Sequence, residues 1–144
     1  MRKIAIIIIA VLMFTAVNSF ADKRTALVIG NGAYTSITAL RNPVNDARDM
    51  KQALEKLGFD VILRTNANRS VIRAAIRKFE DKISRGGVGL FYYAGHGVQI
   101  DGTNYIIPIG VEIKKKYEVE DQALRMQTVL GAMEEANNNL NIVI

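Results

Sequence analysis

The chain has 144 residues, of which 49% are apolar and 23% charged, and its formal net charge is +5. These values fit one globular domain, and the excess of +3 that remains without Arg2 and Lys3 (17 basic against 14 acidic side chains) is too small and scattered to predict nucleic-acid binding. The sequence has one histidine and no cysteine, which excludes a disulfide framework, a cysteine zinc site, a histidine-rich metal site and a thiol nucleophile in the chain as written.

Residues 1–21 have the three-part pattern of a secretory signal peptide. A positive start precedes an uninterrupted apolar run over residues 4–17, and small residues stand at Ser19 and Ala21, the two positions that a signal peptidase reads. The alternative is a membrane anchor retained over residues 4–17, but a run of about 14 residues is shorter than the ~20 that span a bilayer. We expect cleavage after Ala21, an exported (periplasmic or secreted) domain over residues 22–144, and no stable membrane span in that product.

The next part of the chain alternates between apolar strands and amphipathic helices. Short apolar runs, typical of strands buried on both faces, lie at residues 25–30, 59–63 and 88–94. Apolar residues at helical spacing lie between them, over residues 43–57 and 70–83. This order predicts right-handed crossovers and an α/β fold, in which a parallel sheet is covered by helices on both faces.

Polar residues, proline and glycine indicate where the two helices begin and end. Asn42 is predicted to cap the first helix, with Pro43 in its first turn and Gly58 after its end. Asn68 or Ser70 is predicted to cap the second helix. The residues expected to face the core are Val44, Ala47, Met50, Leu54 and Leu57 in the first helix and Ile72, Ala75, Ile76, Phe79 and Ile83 in the second.

The remaining elements are a hairpin, a loop, a helix and a strand. Residues 98–107 are predicted to form the hairpin, which turns at Asp101-Gly102. A charged loop is expected over residues 114–120, a helix over residues 126–136 and the start of a strand at residues 141–144. No helix follows this last strand, so the order of elements predicts a fragment or a truncated reading frame.

One histidine stands at the tip of the third strand, between two glycines. Ligands and catalytic groups collect at the carboxyl ends of parallel strands, and imidazole is the usual general base near neutral pH. His96 is therefore a candidate base, and the unhindered backbone N–H of Gly97 is a candidate oxyanion donor. The alternative is a histidine packed at a strand end, with Gly95 and Gly97 forming a turn.

Four segments resemble those of the bacterial caspase-like cysteine peptidases, the group that includes metacaspases and paracaspases. Residues 91–99 (FYYAGHGVQ) resemble the histidine motif, residues 25–31 the first strand and residues 40–47 the start of the first helix. Residues 141–144 resemble the strand that, in the family, leads directly into an Asp-x-Cys stretch with the nucleophile. The likeness covers nearly all of residues 24–144, in the right order. It implies a three-layer caspase-like fold, incomplete at its C-terminal end, and cysteine endopeptidase activity on peptide or protein substrates.

The resemblance also implies roles for three residues. His96 matches the histidine that activates the thiol, and Gly97 matches the backbone donor to the oxyanion. Asp46 matches an acidic residue that, in metacaspases, lines the pocket for the basic side chain before the scissile bond. A carboxylate pairs well with Arg or Lys, so cleavage after these residues is expected. The alternative for Asp46 is a favourable negative charge in the first turn of a helix.

Other features of the sequence argue against a bound cofactor. Metacaspases often carry serine at the position of Ala94, which weakens a close match to that group. The calcium-dependent metacaspases also have an acidic cluster after the histidine motif. Residues 99–107 contain only Asp101, so we expect no metal and no other cofactor. The Gly-x-Gly at residues 30–32 is a weak phosphate-loop signal because a ten-residue loop separates it from its helix.

Residues 114–116, three lysines, are expected to be a solvated loop that a protease of this specificity could cut.

A second functional hypothesis is a non-catalytic peptide-binding module, because the chain as given has no thiol. Such a module would bind peptides in the groove beside the third strand or pair through an exposed sheet edge. The sequence makes no prediction about oligomeric state.

Overall fold

The computed structural model describes residues 23–84 and 86–144, so the predicted signal peptide lies outside the described residues. No helix among the described residues is both long enough and apolar enough to cross a membrane. In chain order the elements are β1 (Arg24–Gly30), α1 (Pro43–Lys56), β2 (Asp60–Thr65), α2 (Arg69–Ile83), β3 (Val88–Ala94), β4 (Gly97–Ile100), β5 (Thr103–Ile106), α3 (Glu118–Gln122), β6 (Leu124–Arg125), α4 (Met126–Glu135) and β7 (Leu140–Val143).

The central element is a parallel four-stranded sheet in the order β2-β1-β3-β7. Gly30 pairs with Ala94 in the register of β1 and β3, so the carboxyl ends of the two strands lie side by side. A second, antiparallel sheet in the order β4-β5-β6 follows the carboxyl end of β3. The turn between β4 and β5 is at Asp101-Gly102, as predicted, and both residues have positive φ angles (48° and 80°), as a type I′ turn requires.

Helices cover both faces of the parallel sheet, which confirms the predicted α/β class. Because side chains alternate along a strand, Ala26 and Val28 of β1 face α1, whereas Leu27 and Ile29 face α2 and α4. The predicted apolar face of α2 is buried along its whole length, with Phe79 fully inaccessible to solvent. In α4, Val129 and Met133 complete the same core. The core therefore has two layers that are separated by the sheet.

The structure corrects two expectations about α1. Asn42 occupies the N-cap position, but its backbone is already helical (φ −95°, ψ −29°) and its side chain makes no capping hydrogen bond. Leu57 is 60% exposed instead of buried. Gly58, with a φ of 80°, reverses the chain there, and the N–H groups of Gly58 and Phe59 bond back to the last turn, so Leu57 lies past the apolar face.

Other boundaries differ from the prediction where local side-chain bonds decide them. Asn68, and not Ser70, caps α2 by accepting a hydrogen bond from the N–H of Val71. The short helix α3 begins within the predicted charged loop, and its Glu118 accepts hydrogen bonds from the backbone of the preceding lysines. Strand β2 begins at Asp60 and extends to Thr65. Strand β6 has only two residues, too few to give a periodic signal, and its pairing with β5 defines it.

A buried asparagine joins the ends of several elements just behind the rim of the sheet. Asn31 follows β1 and is fully inaccessible to solvent. Its Oδ1 accepts from the N–H of Ala67 at 2.8 Å, and its Nδ2 donates to the carbonyl oxygens of Ala67 at 3.2 Å and Ile107 at 3.4 Å. Its own N–H donates to the carbonyl oxygen of Ala94 at 2.8 Å. These bonds connect the ends of β1 and β3 with the segment before α2 and the end of β5.

We expect Asn31→Ala to lower the free energy of unfolding by about 1–3 kcal/mol, because it leaves the buried N–H of Ala67 without its partner and removes the bonds from Nδ2 to the carbonyl oxygens of Ala67 and Ile107. Urea denaturation followed by circular dichroism measures this change. Asn104→Ala is the matched control. The Asn104 side chain is exposed and, among the described residues, bonds only to the side chain of Gln99, so its loss should cost less than about 0.5 kcal/mol. Equal effects of the two substitutions would show that the Asn31 bonds are not a structural constraint.

Candidate active site

His96 lies between β3 and β4, at the carboxyl end of the parallel sheet, where the sequence predicted it. Its Nε2 lies 2.7 Å from the carbonyl oxygen of Thr38, in the loop between β1 and α1. The ring of Tyr34, from the same loop, packs against the imidazole with ring centroids 4.7 Å apart and the planes tilted by 59°. The loop after β1 therefore holds the imidazole ring through one hydrogen bond and one ring contact.

The bond to Thr38 determines which nitrogen of His96 can act as a base. A carbonyl oxygen only accepts hydrogen bonds, so Nε2 must carry the hydrogen. In the neutral imidazole the lone pair is then on Nδ1. This is the nitrogen that can take a proton from a nucleophile.

Two tyrosine hydroxyls hold the backbone of His96. The N–H of His96 donates to the hydroxyl oxygen of Tyr34 at 3.0 Å, and this hydroxyl donates to the carbonyl oxygen of Ile107 at 3.1 Å. The carbonyl oxygen of His96 accepts from the hydroxyl of Tyr93 at 2.9 Å and from the N–H of Ile107 at 2.9 Å. Both polar backbone groups of His96 are thus bonded, which fixes the position of its Cα at the rim.

The two hydroxyls leave no room for a side chain at Gly95. A Cβ atom there would lie 2.5 Å from the hydroxyl oxygen of Tyr93 and 2.8 Å from that of Tyr34. Burial, and then the hydrogen bond with Tyr34, raise the pKa of the Tyr93 hydroxyl far above its usual range. Tyr93 therefore remains a protonated donor at every pH at which the protein would act.

Gly97 begins β4 and is exposed. The carbonyl of His96 bonds the N–H of Ile107, while Gly97 is opposite Ile106 in the antiparallel register. Hydrogen-bonded and non-bonded pairs alternate in such a ladder, so Gly97 is in a non-bonded position. Its N–H faces away from β5, towards the open edge next to His96, where a substrate oxygen could accept it.

Asp46 lies apart from His96, in the first turn of α1. Its side chain is exposed, and no ion pair joins it to a cation among the described residues. Burial, and then the negative charge of Asp46, raise the pKa of the Tyr92 hydroxyl. Asp46 is thus close to the end of β3, on the face of the sheet that α1 covers, and it makes no hydrogen bond with His96.

Strand β7 runs towards the same rim as β3. The two strands pair from Val88 with Leu140 to Phe91 with Val143. The pairing continues one residue further, through bonds from the N–H of Ile144 to Phe91 and from the N–H of Tyr93 to Ile144. The direction of β7 therefore leads to the space beside His96.

A cavity of about 320 Å³ opens beside His96. Its walls come from the loop after β1, from the start of β4 and from the segment between β5 and α3. The lining residues are Ile37, Thr38, His96, Gly97, Val98, Ile107, Val111, Ile113 and Val119. Asp46 does not line this cavity. Within residues 23–84 and 86–144, no cluster of three or more His, Asp or Glu side chains is placed to hold a metal ion.

The sequence did not identify Thr38, Tyr34 or Tyr93 as parts of this site. Thr38 contributes a backbone carbonyl, for which no residue type is a signal. Tyr93 belongs to the apolar run of the third strand and its ring packs against the core, but its hydroxyl reaches the backbone of His96. A tyrosine in a polar loop directly after a buried strand, as at Tyr34, is the one feature that could have pointed to a hydrogen-bonding role.

Three comparisons relate this site to known proteins. A family model, the caspase domain of the C14 peptidases, matches residues 23–140. The human mucosa-associated lymphoid tissue lymphoma translocation protein 1 is 31% identical over 124 residues, which are 86% of this chain and 15% of that protein. Its mouse homologue is 30% identical over 124 residues, 86% of this chain and 14% of that protein. The chain thus spans only about one seventh of the length of these relatives.

A solved structure shows the same fold at lower sequence similarity. The crystal structure of a protein from Geobacter sulfurreducens superposes with a TM-score of 0.65 at 20% identity, over 84% of this chain and 49% of that chain. The family model, which matches most of the chain and includes His96, Gly97 and Asp46, decides the assignment. The chain belongs to the caspase-domain family of peptidases.

Proposed function

We propose that this chain is the histidine-bearing part of a cysteine endopeptidase that cleaves peptide bonds after Arg or Lys, with its nucleophilic cysteine supplied by residues that follow Ile144. One observation carries the proposal. The imidazole of His96 is held through Nε2 by the carbonyl of Thr38, which leaves Nδ1 as a free base beside the exposed N–H of Gly97. A base and an oxyanion donor at one strand end are the two groups that thiol-dependent acyl transfer requires.

The reaction uses His96 in both of its halves, acylation and deacylation. Nδ1 takes the proton of the cysteine thiol, and the thiolate attacks the carbonyl carbon of the scissile bond. The oxygen of the tetrahedral intermediate accepts a hydrogen bond from the N–H of Gly97. As the C–N bond breaks, the imidazolium returns its proton to the leaving amine. His96 then deprotonates a water molecule that attacks the thioester, and the imidazolium returns this proton to the sulfur as the C–S bond breaks, which releases the acid and the thiol.

The direction of β7 supports the proposed position of the cysteine. In the register of β3 and β7, Tyr92 is level with Ile144, and His96 is four residues further along the chain, two residues past the end of β3. At about 3.3 Å per residue, a chain that continued from Ile144 would be level with His96 after about four residues. A cysteine near that position would have its sulfur within reach of Nδ1.

Asp46 supports the preference for Arg or Lys. Its carboxylate is exposed at the rim, near the carboxyl ends of β1 and β3, and has no cationic partner among the described residues. A guanidinium group can form a bidentate, charge-assisted pair with such a carboxylate. The residue before the scissile bond would then extend towards α1.

A non-catalytic peptide-binding domain is the second candidate function, and the observation in its favour is that these 144 residues contain no cysteine. It would use the same Asp46 and the same rim to bind basic peptides without cleaving them. The product of the reading frame that encodes this chain distinguishes the two functions.

We expect the protein expressed from this reading frame, up to its stop codon, to hydrolyse fluorogenic peptides that end in Arg. His96→Ala should lower kcat/KM by about 10²–10⁴-fold, because it removes the general base. Circular dichroism of the variant checks that it is folded. A frame that ends without a cysteine, or an unchanged rate in His96→Ala, would contradict the peptidase proposal.

We expect Asp46→Asn to lower kcat/KM for Arg substrates by at least about 10-fold, because it removes a charge-assisted hydrogen bond to the guanidinium. Asp49→Asn is the matched control, an exposed carboxylate on the same helix whose loss should change the rate less than about twofold. A parallel assay with substrates that carry Asp before the scissile bond tests the assignment. Cleavage after Asp alone would show that Asp46 does not select the substrate.

A further inference from the structure

The cavity beside His96 has a chemistry that the proposed catalytic groups do not use. Six of its nine lining residues are aliphatic, and no Lys, Arg, Asp or Glu side chain lines it. The aliphatic residues are Ile37, Val98, Ile107, Val111, Ile113 and Val119. Its volume of about 320 Å³ is at the small end of ligand sites, which suits one or two side chains and not an extended molecule.

Two of these aliphatic residues are exposed at the mouth of the cavity. Ile37, in the loop after β1, is 38% exposed, and Val98, in β4, is 37% exposed. They line the same cavity from opposite elements. Each loses apolar contact with water if another apolar group enters between them, which stabilises the bound state.

The cavity wall that faces the loop after β1 is held in place by bonds within the protein itself. Val111 and Ile113 come from the segment between β5 and α3, and three bonds fix that segment. The N–H of Glu112 donates to the Gln122 side chain at 3.1 Å, the N–H of Lys114 donates to Glu118 at 2.7 Å, and Lys116 pairs with Asp101 of the hairpin at 2.9 Å. The cavity is therefore a formed feature of the fold.

The position of His96 indicates which part of a substrate reaches the cavity. The residue that protonates the leaving amine must contact the amine side of the scissile bond, and His96 forms part of the cavity wall. Consecutive Cα atoms are 3.8 Å apart, so the side chain attached to the leaving amine is next to the imidazole. Asp46, which is proposed to bind the residue on the other side of the bond, does not line the cavity.

We propose that this cavity is a subsite for an apolar side chain on the residue that follows the scissile bond. The proposal rests on the proposed function, because it takes His96 as the residue that faces the leaving amine. The subsite adds a preference for an apolar residue after the scissile bond to the proposed preference for Arg or Lys before it. The preferred sequence is then Arg or Lys followed by a residue such as Leu.

Peptide binding to this 144-residue chain tests the subsite without requiring catalysis. His96 is the one histidine in the sequence, so its ring proton resonances report binding at the rim without ambiguity. The probes are peptides with Arg-Leu, Arg-Asn and Gln-Leu at their centre. Asn is close to Leu in shape but polar, so we expect Arg-Leu to bind at least about 10-fold more tightly than Arg-Asn.

Two variants make the test specific. The double variant Ile37→Thr and Val98→Thr should reduce the ratio of Arg-Leu to Arg-Asn affinity to below about threefold, because it adds hydroxyls at the mouth of the cavity. Val71→Thr is the control, because Val71 is 38% exposed on α2 and does not line the cavity. It should leave the ratio unchanged.

The outcomes separate the subsite from the proposed function. Equal affinities for Arg-Leu and Arg-Asn, an unchanged ratio in the double variant, or no saturable binding of Arg-Leu would each overturn the subsite. Equal affinities for Arg-Leu and Gln-Leu would count against the basic pocket at Asp46. If the Leu preference persisted in that case, the subsite would stand by itself.

Discussion

The hydrogen bond between Nε2 of His96 and the carbonyl oxygen of Thr38 is the interaction on which the account of the site depends. It assigns the hydrogen to Nε2 and the lone pair to Nδ1. With the hydrogen on Nδ1 instead, the lone pair of Nε2 would face the carbonyl oxygen of Thr38, which cannot donate a hydrogen bond. The backbone bonds to Tyr34 and Tyr93 support the same orientation from behind, because they hold the Cα of His96. The loop after β1 thus sets both the orientation of the His96 ring and the nitrogen that carries its hydrogen.

That loop is in turn held by the buried bonds behind the rim. Asn31 connects the end of β1 with Ala67 and Ile107, and Ile107 also accepts from Tyr34 and bonds to the carbonyl of His96. Buried polar groups cost free energy unless all are bonded. A change in Asn31 would therefore affect both the stability of the domain and the orientation of the proposed base, since Ile107 belongs to both sets of bonds.

Much of the fold follows from local sequence patterns. Strand β3 has the predicted bounds, the buried face of α2 follows its helical spacing, and the Asp-Gly turn is in place because only a few residue pairs tolerate two positive φ angles. The errors come from interactions that the pattern does not encode. Leu57 continues the helical spacing but lies past the turn at Gly58, and β6 exists only through pairing with β5. Within the site, residue type pointed to His96 and Gly97, whereas the Thr38 carbonyl depends on a loop conformation that no residue type specifies.

Nitrogen-15 NMR of His96 in this chain tests the central claim most directly, because the chain has a single histidine. At a pH where the ring is neutral, Nε2 should show the shift and the one-bond proton coupling of a protonated ring nitrogen, and Nδ1 the shift of an unprotonated one. A spectrum of the folded chain that shows Nδ1 protonated, or the average of the two neutral tautomers in rapid exchange, would contradict the account. In that case Thr38 would not orient the imidazole, and Nδ1 would not be the base.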